Sequence, residues 1–282
     1  MAVALKQLGL LQRRTYPIVK WVGGKRQLLF ELLNNMPKSY GRYFEPFIGG
    51  GALFFELQTE NAYISDTNEE LINLYNVIAD DVDHLIEDLR SHEIHKEYFL
   101  RIREIDRKPE YENWTAVQKA SRFIYLNRTC FNGLYRVNSQ GQFNVPYGDY
   151  SNPRIIDEEN LYSCSELLKK TQIEHKSFDN ILNESQKGDF VYFDPPYVPL
   201  NETSSFTSYT KDGFDLNMQF SLKKTCDELS ERGVYFMLSN SDTKFINELY
   251  AEYNIQKVFA SRAVNSNASG RGKITEVLVR NY

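Results

Sequence analysis

The stretch RYFEPFIGGGALFFELQ, residues 42–58, contains the pattern that decides the fold. A β-rich run over 42–48 stops at three glycines, 49–51, and leads into an apolar segment, which predicts a strand, a tight turn and a helix. Glycines at such a turn allow the backbone to approach a ligand closely, although an ordinary turn is the alternative. The stretch matches neither GxGxxG nor the P-loop, so it predicts a ligand loop without a phosphate cradle.

Two further predicted strands end in an acidic residue. NAYISD ends in Asp66, and FVYFD ends in Asp194. The second run is almost entirely apolar, as expected for a strand buried on both faces. Other strands are predicted at 172–178, 233–241, 255–262 and 274–280, with helices around 215–232 and 243–252. Because strands alternate with helices, the predicted fold class is α/β with a mostly parallel, doubly wound sheet.

The two acidic residues that follow early strands are candidate ligand contacts. Asp66 lies 17 residues after Gly49, where a carboxylate can accept both ribose hydroxyls of a nucleoside cofactor. Asp179 follows the 172–178 strand, where a helix N-cap is one interpretation, and only the family resemblance given below implies that it meets a cofactor base.

The segment Asp194-Pro195-Pro196-Tyr197 is the second chemical signal, because strand carboxyl ends line the crevice of open α/β sheets. Two prolines remove two backbone donors and hold the chain extended. The Asp194 carboxylate and the Pro195 carbonyl then form a paired acceptor that suits an NH2 group, and Tyr197 could stack on an attached ring. A plain surface turn is the alternative.

Residues 67–159 break the strand–helix rhythm. Helical spacing covers 68–90, about 94–108 and 114–128, and is followed by FNGLYRVNSQGQFNVPYG, residues 131–148. The FNG and SQG turns in that last segment predict a loop or hairpin. We interpret 1–66 and 160–282 as one domain, and 67–159 as an inserted helical subdomain that carries the 131–148 loop.

Charge is distributed unevenly along the 282 residues. The net charge of −5 argues weakly against a nucleic-acid partner, but residues 60–112 carry 15 acidic and 6 basic residues. The stretches 1–30, 117–148 and 257–273 contain no acid. Since the local field governs binding of a polyanion, the chain keeps three candidate basic surfaces.

The remaining composition excludes several classes. The three cysteines form no CxxC pair, so neither a zinc site nor a disulfide framework is predicted, and a reducing, cytoplasmic location is expected. The apolar stretch at the N-terminus is too short to span a bilayer or to act as a signal peptide, so no membrane partner is expected. Neither GxSxG nor HExxH occurs, which gives no support to hydrolase chemistry.

Six segments, taken in order, resemble the amino-methyltransferases of DNA, and specifically the Dam-type adenine-N6 group. They are KWVGGK at 20–25, FEPFIGGG at 44–51, DTN at 66–68, the segment 127–148, DPPY at 194–197 and LSNS at 238–241. The order of glycine motif, insert and DPPY is that of group α. The resemblance covers nearly the whole chain and is closest to the Dam-like methylases of DpnII-type restriction–modification systems.

This resemblance implies a fold, a cofactor and a substrate. It implies a Rossmann-like, S-adenosylmethionine-dependent methyltransferase fold, with S-adenosylmethionine as methyl donor, no metal, and N6 of adenine in double-stranded DNA as acceptor. The domain of 1–66 and 160–282 would be catalytic, and 67–159 would recognise the target. A cognate restriction endonuclease acting on the same site is a possible partner. Flipping of the target base and direct transfer without a covalent intermediate are expected.

The resemblance also implies roles for individual residues. The implied catalytic residues are Asp194, Pro195, Pro196 and Tyr197, and the implied cofactor residues are Trp21, Lys25, Glu45, Gly49, Asp66 and Asp194. The implied DNA-binding residues are Lys20, Arg128, Phe131, Asn132, Leu134, Arg136 and Pro146. Lys20 and Arg136 would contact guanine, while Leu134 and Pro146 would pack on a thymine methyl, which together imply a GATC target. Phe131 stands where the family has a wedging Tyr, so the ring is kept and a hydroxyl is lost.

Two alternatives remain open from the sequence. The nearest is another amine methyltransferase that acts on RNA or on a protein glutamine, because those enzymes share the acceptor motif. The other is a DNA-binding protein that has lost catalysis, although the intact DPPY segment argues against it.

Overall fold

The computed structural model describes residues 15–199, 214–261 and 273–282. Its strands are β1 (Tyr43–Glu45), β2 (Tyr63–Asp66), β3 (Gln172–His175), β4 (Phe190–Phe193), β5 (Tyr235–Ser241), β6 (Asn254–Ser261) and β7 (Lys273–Arg280). Its α-helices are α1 (Leu29–Asn35), α2 (Ala52–Leu57), α3 (Glu69–Asp80), α4 (Val82–Arg90), α5 (Lys96–Glu104), α6 (Ala116–Thr129), α7 (Glu158–Leu168), α8 (Ile181–Glu184), α9 (Leu216–Glu231) and α10 (Lys244–Leu249).

The strands form a seven-stranded sheet in the order β3-β2-β1-β4-β5-β7-β6. The first five strands of that order pair in parallel, and β7 runs antiparallel to both β5 and β6. The chain leaves β1 toward one edge and later returns at β4 toward the other edge. The boundary between β1 and β4 is therefore the topological switch point, at which open α/β sheets bind ligands. The predicted mostly parallel α/β sheet is confirmed.

Central strand β4 shows why the sequence folds in this way. All four of its residues are buried, because helices cover both faces of a parallel sheet. Val191 and Phe193 belong to an apolar cluster that also contains Leu222 and Leu229 of α9. The apolar run noted in the sequence is therefore the core of the sheet.

Some predicted elements are shorter or divided. The helical stretch 68–90 is two helices, because Asp81 has φ −146° and ψ 47°, which ends α3 and starts α4. The strand predicted over 172–178 ends at His175, and a 3-10 turn begins with Phe178. Ser177 precedes that turn as its N-cap, so Asp179 is an exposed residue inside the turn rather than the cap.

The chain forms two compact units whose boundaries differ from the predicted domains. The first, helical unit consists of Met1–Gly24, Gly49–Glu60 and Asn68–Thr171, and the second, sheet unit consists of Lys25–Ile48, Asn61–Thr67 and Gln172–Tyr282. The predicted domains place residues 15–24, 49–60 and 160–171 with the sheet, whereas the structure groups them with the helical unit. Residues 160–171 and 15–24 join it because α7 bonds α3 through Ser165, whose hydroxyl donates to the carbonyl of Ala79, and because Asn160 bonds both backbone polar groups of Tyr16.

None of the helices within the described residues has both the length and the apolar character that crossing a bilayer requires. Within the same residues, no group of three or more His, Cys, Asp and Glu side chains is arranged to hold a metal ion.

Candidate active site

Three carboxylates follow one another along the carboxyl edge of the sheet. Glu45 is the last residue of β1, Asp66 is the last residue of β2, and Asp194 directly follows β4. Because β2, β1 and β4 are neighbours and parallel, their carboxyl ends share one edge, at the switch point. Of the predicted cofactor residues, these three are brought together by the topology of the sheet unit.

Asp194 forms an ion pair with Lys25. The Lys25 Nζ lies 2.7 Å from the Asp194 Oδ1, and the two side chains are only 7% and 20% exposed. Burial raises the pKa of the Asp194 carboxyl, the Lys25 ammonium lowers it, and the nearby Glu276 raises it, so that the pKa stands above the usual value. Lys25 was predicted to line a cofactor pocket, and the ion pair gives it a second role, which is to favour the ionised form of Asp194.

The Tyr197 ring is held from two sides. The Lys25 Nζ lies 4.6 Å from the ring centroid, a cation–π contact, and the Tyr197 hydroxyl donates a hydrogen bond of 2.7 Å to the Glu276 Oε2. Burial raises the pKa of the Tyr197 phenol well above its usual value, so the hydroxyl stays protonated as a donor. Sequence reasoning missed Glu276, since it is 79 residues away from Tyr197 and belongs to no motif.

The backbone of the DPPY segment is fixed by β5 and α9. The Gln219 amide donates to the Pro196 carbonyl at 3.2 Å, and the Val198 amide N–H donates to the Asn240 Oδ1 at 3.2 Å. The Ser241 hydroxyl donates to the Val198 carbonyl at 2.6 Å. Asn240 and Ser241 belong to the LSNS segment that contributed to the resemblance. Their hydrogen bonds hold the 194–197 segment, which is called the acceptor turn below. No described residue donates a hydrogen bond to the Pro195 carbonyl.

Glu45 is an almost fully buried carboxylate, 3% exposed, at the end of β1. The Tyr43 hydroxyl donates to its Oε2 at 2.6 Å. A buried carboxylate is costly unless its hydrogen-bonding capacity is used, so this one is a candidate acceptor for a bound polar ligand as well as for Tyr43.

The other two predicted cofactor residues, Gly49 of the glycine turn and Trp21 beside it, belong to the helical unit. Gly49 has φ +44°, and a Cβ there would lie 2.7 Å from Cδ1 of the Trp21 ring. The Tyr75 hydroxyl donates to the Gly49 carbonyl at 2.7 Å. Only glycine fits this backbone conformation beside the indole, so the sequence signal corresponds to a close approach of a side chain to the turn.

The 131–148 segment is a hairpin-like loop. Isolated antiparallel bridges pair Cys130 with Tyr147 and Val137 with Phe143. The Arg136 guanidinium is exposed and donates to the side-chain and backbone oxygens of Asn144 at 2.7 and 3.2 Å.

Most of the predicted DNA-binding residues lie on this loop with accessible side chains. Phe131 is 51% exposed, Asn132 is exposed in a left-handed conformation with φ +57°, Pro146 is exposed, and Leu134 is half-buried. Exposed Lys20 belongs with them, because Asn127 bonds the Lys20 backbone and also donates to the Gly133 carbonyl in the loop.

Arg128 differs from the rest of the predicted DNA-binding set. It is half-buried, and its guanidinium donates to the carbonyl of Ile18. A DNA contact by Arg128 would compete with this bond. Arg128 therefore has a structural role in addition to the predicted role in DNA binding.

Two of the acid-free stretches lie partly outside the described residues. Of the basic side chains in them, Lys6, Arg13, Arg14, Arg262 and Arg271 fall there, and their contribution to a basic surface stays a prediction.

The 194–197 turn follows the central strand at the switch point of the sheet, and its carboxylate is paired with Lys25, an arrangement that suits the binding of an amine. Comparison with known proteins makes the assignment specific. Residues 21–264 match the family described as D12 class N6 adenine-specific DNA methyltransferase, and the chain belongs to that family.

Named relatives support the same assignment. The chain is 50% identical over 270 residues to the type II methyltransferase M1.LlaDCHI of Lactococcus lactis subsp. cremoris, covering 94% of this chain and 95% of the relative. It is 44% identical to the type II methyltransferase M.MjaIII of Methanocaldococcus jannaschii, over 94% of this chain and 99% of the relative. It is 32% identical to the DNA adenine methylase of Escherichia coli K12, over 94% and 95%.

The protein is therefore an enzyme that methylates N6 of adenine in DNA. The predicted resemblance to Dam-type adenine methyltransferases is confirmed, and DNA adenine takes the place of the RNA and protein-glutamine alternatives.

Proposed function

We propose that the enzyme transfers a methyl group from S-adenosylmethionine to adenine N6 in GATC sites of double-stranded DNA, after the target base has been flipped out of the duplex. The observation that carries the proposal is the geometry around Asp194. Its carboxylate follows the central strand β4, is held by Lys25 at 2.7 Å, and precedes a proline carbonyl that no described residue uses.

The residues present fit S-adenosylmethionine. Glu45 and Asp66 offer carboxylates at adjacent strand ends, where they can accept hydrogen bonds from ribose hydroxyls and from an amino-acid ammonium group. Trp21 and Gly49, which the family resemblance also assigns to the cofactor, lie together within the helical unit. When bound, S-adenosylmethionine supplies an electrophilic methyl group on a sulfonium sulfur.

The chain's own residues prepare the amine. The Asp194 carboxylate and the Pro195 carbonyl each accept one hydrogen bond from the N6 amino group of adenine. This pairing favours a pyramidal nitrogen with an available lone pair. Tyr197, fixed by Glu276, supports the flipped ring. Lys25 favours the charged form of the carboxylate, and a charged acceptor binds the amine more strongly than a neutral carboxyl does.

The cysteines are unsuited to covalent catalysis. Burial raises the pKa of Cys130 to about 11 and that of Cys164 to about 12, and the buried Cys226 has a pKa well above its usual value. Thiols with such pKa values are not nucleophiles near neutral pH, which supports direct transfer to nitrogen.

The reading loop supports the GATC assignment and base flipping. Arg136 presents a forked donor of the kind that binds the O6 and N7 of guanine, and Leu134 and Pro146 offer apolar surface for a thymine methyl. The exposed Phe131 ring can replace the flipped adenine in the stack, offsetting an extrusion cost of a few kcal/mol.

Two relatives carry the name type II methyltransferase, a name that belongs to restriction–modification systems. We extend that role to this enzyme, with a cognate endonuclease that cuts the same sequence. The two enzymes share a DNA site rather than a protein interface, so no stable complex is required.

The proposed function is tested on plasmid DNA from a host that lacks its own adenine methylation and expresses the enzyme. We expect the plasmid to resist endonucleases that are blocked by N6-methyladenine in GATC and to be cut by those that require it. Plasmid from cells expressing the Asp194→Ala variant is the control. Methyl-adenine found only in another sequence would overturn the GATC target, and the absence of methyl-adenine would overturn the proposed activity.

Arg136→Ala is expected to relax sequence preference more than it lowers cofactor affinity. A bidentate contact of arginine with guanine contributes about 1–3 kcal/mol of discrimination, so the ratio of kcat/KM between GATC and a site altered at that guanine should fall roughly tenfold to a hundredfold. Arg136→Lys retains the charge but not the fork, and should lose most of the same discrimination. Equal selectivity in the variants and the wild type would remove Arg136 from the reading role.

Asp66→Ala is expected to weaken cofactor binding. Loss of a charged acceptor that serves ribose hydroxyls costs about 1.5–3 kcal/mol, so the Kd for S-adenosylmethionine, measured by calorimetry, should rise at least about tenfold. DNA binding by the cofactor-free enzyme should stay as in the wild type. An unchanged cofactor Kd would show that Asp66 lies outside the cofactor site.

A further inference from the structure

Tyr135 occupies a central place in the helical unit. Its ring stacks on Trp21, with centroids 5.4 Å apart and planes 20° apart, and on Phe123 at 4.9 Å and 26°. The Tyr135 hydroxyl donates a hydrogen bond of 2.8 Å to the Glu70 Oε2. The ring is therefore held by two aromatic faces and one carboxylate.

One end of this stack is the glycine turn. The Trp21 ring lies so close to Gly49 that a Cβ there would be 2.7 Å from Cδ1 and 2.8 Å from Nε1 of the indole. A bound group that displaces this turn or this indole would move the partner ring as well, because packed aromatic faces leave no space to absorb a shift.

Tyr135 also belongs to the loop of residues 131–148, the reading loop, and directly precedes Arg136 in it. The Tyr135 side chain is half-buried, whereas the Arg136 side chain is exposed. A displacement of the Tyr135 ring therefore moves the backbone that carries the Arg136 guanidinium.

The opposite side of the loop has a second anchor, although its Phe143 ring also contacts the Tyr135 ring, with centroids 6.0 Å apart. The Phe143 amide N–H donates to the Asp106 Oδ2 at 2.8 Å, and Arg122 donates to the same oxygen at 2.7 Å. Asn144, the partner of Arg136, follows Phe143 directly and donates its amide N–H to the Arg136 carbonyl at 3.0 Å. One side of the hairpin is thus tied to the buried Arg122–Asp106 ion pair, and the other side is held by the rings that pack against Tyr135.

We propose that Tyr135 is a positioning residue that couples the cofactor site to target reading, by transmitting the position of Trp21 to Arg136. The inference rests on the proposed function, because it takes S-adenosylmethionine as the ligand beside Trp21 and GATC as the sequence read by Arg136. Occupancy of the cofactor site favours the Arg136 position that reads guanine, and by linkage GATC binding strengthens cofactor binding to the same extent.

The test measures the Kd of a GATC duplex and of a scrambled duplex, each with and without saturating S-adenosylhomocysteine, the unreactive product. In the wild type we expect the product to tighten GATC binding about fivefold or more, and to leave the scrambled duplex nearly unchanged. In Tyr135→Leu, which lacks the ring, this enhancement should fall below about twofold. Tyr135→Phe keeps the stacking ring and should retain the enhancement.

Tyr111→Phe is the matched control. Tyr111 also donates to Glu70, at 2.7 Å, but its ring contacts Trp114 rather than Trp21 among the described aromatic pairs. It should keep the wild-type enhancement, and thermal melting by circular dichroism should verify that each variant is folded. A wild type without enhancement, or a folded Tyr135→Leu variant that keeps it, overturns the coupling.

The same experiment separates this inference from the proposed function. A wild type that binds the product and prefers GATC, but does so independently, removes the coupling alone. A wild type that fails to bind S-adenosylhomocysteine, or that binds both duplexes equally with and without it, removes the proposed function and the coupling with it.

Discussion

Replacing Asp194 with alanine is expected to lower kcat for adenine methylation by about a thousandfold at saturating cofactor and DNA. The variant removes a charged acceptor aimed at the amine, and preorganised electrostatic contacts of this kind contribute about two to three orders of magnitude each. It also leaves the Lys25 ammonium, which is 2.7 Å from Asp194, without its buried partner. The rate is measured by transfer of tritiated methyl groups to a GATC duplex, under single-turnover conditions that exclude product release.

Asp189→Asn is the matched control for this prediction. Asp189 directly precedes β4 and is more deeply buried than Asp194, but its carboxylate accepts the backbone N–H groups of Arg42 and Gln186 at 2.8 and 3.0 Å. Its variant should lower the melting temperature and leave kcat within a fewfold of the wild type. If Asp194→Ala kept more than a tenth of the wild-type kcat while remaining folded, Asp194 would not be the acceptor of the amine.

Much of the sheet and of the acceptor turn could be predicted because those signals are local in sequence. An apolar run of four residues identified β4, and the residues directly after it identified the acceptor turn. The three consecutive glycines identified the tight turn at 49–51, but the sequence did not predict that the Trp21 ring lies against Gly49. The mostly parallel character of the sheet followed from the alternation of strands and helices, whereas the strand order is known only from the structure.

The partners of the acceptor turn could not be predicted, since they are distant in sequence and carry no pattern. Glu276 reaches Tyr197 only because β7 is inserted beside β5, which places Glu276 opposite Ser241. The pairing of Lys25 with Asp194 likewise depends on where a short 3-10 turn, Lys25–Gln27, lies against the sheet. These positions are set by packing, and single-sequence patterns do not report packing.

The division of the chain into units shows the same limit. The sequence could not show that α7 bonds α3, because this contact joins residues that are distant in the chain. The predicted insert therefore ended too early in the chain, at residue 159, whereas the helical unit continues to Thr171.

Lys25→Met is expected to move the acidic limb of the kcat–pH profile to higher pH and to lower activity near neutral pH. Burial already raises the pKa of Asp194, and the Lys25 ammonium opposes that rise, so its removal lets the pKa rise further. A larger fraction of Asp194 is then protonated at a given pH, and a protonated carboxyl is a weaker acceptor for the amine. The profile is measured from pH 5 to pH 9 under single-turnover conditions.

Stability should follow the same linkage. A carboxyl whose folded pKa lies above its unfolded value stabilises the fold at low pH, and that contribution is lost as pH rises through the folded pKa. Removing Lys25 leaves a buried carboxylate unpaired, at a cost of about 3 kcal/mol when it is ionised. The stability of Lys25→Met relative to the wild type, from urea unfolding, should therefore decrease as pH rises from acid to neutral.

Glu276→Gln is expected to shift the acidic limb of the kcat–pH profile in the direction opposite to that of Lys25→Met. Its charge raises the pKa of Asp194, so the variant should move the acidic limb to lower pH, while the glutamine oxygen can still accept the Tyr197 hydroxyl. Lys25→Met and Glu276→Gln remove opposite charges. If they shift the acidic limb in opposite directions, a single titrating group that is close to both side chains controls the rate. Three superimposable profiles would mean that the ionisation of Asp194 does not control transfer, and the role assigned to the ion pair would then be structural.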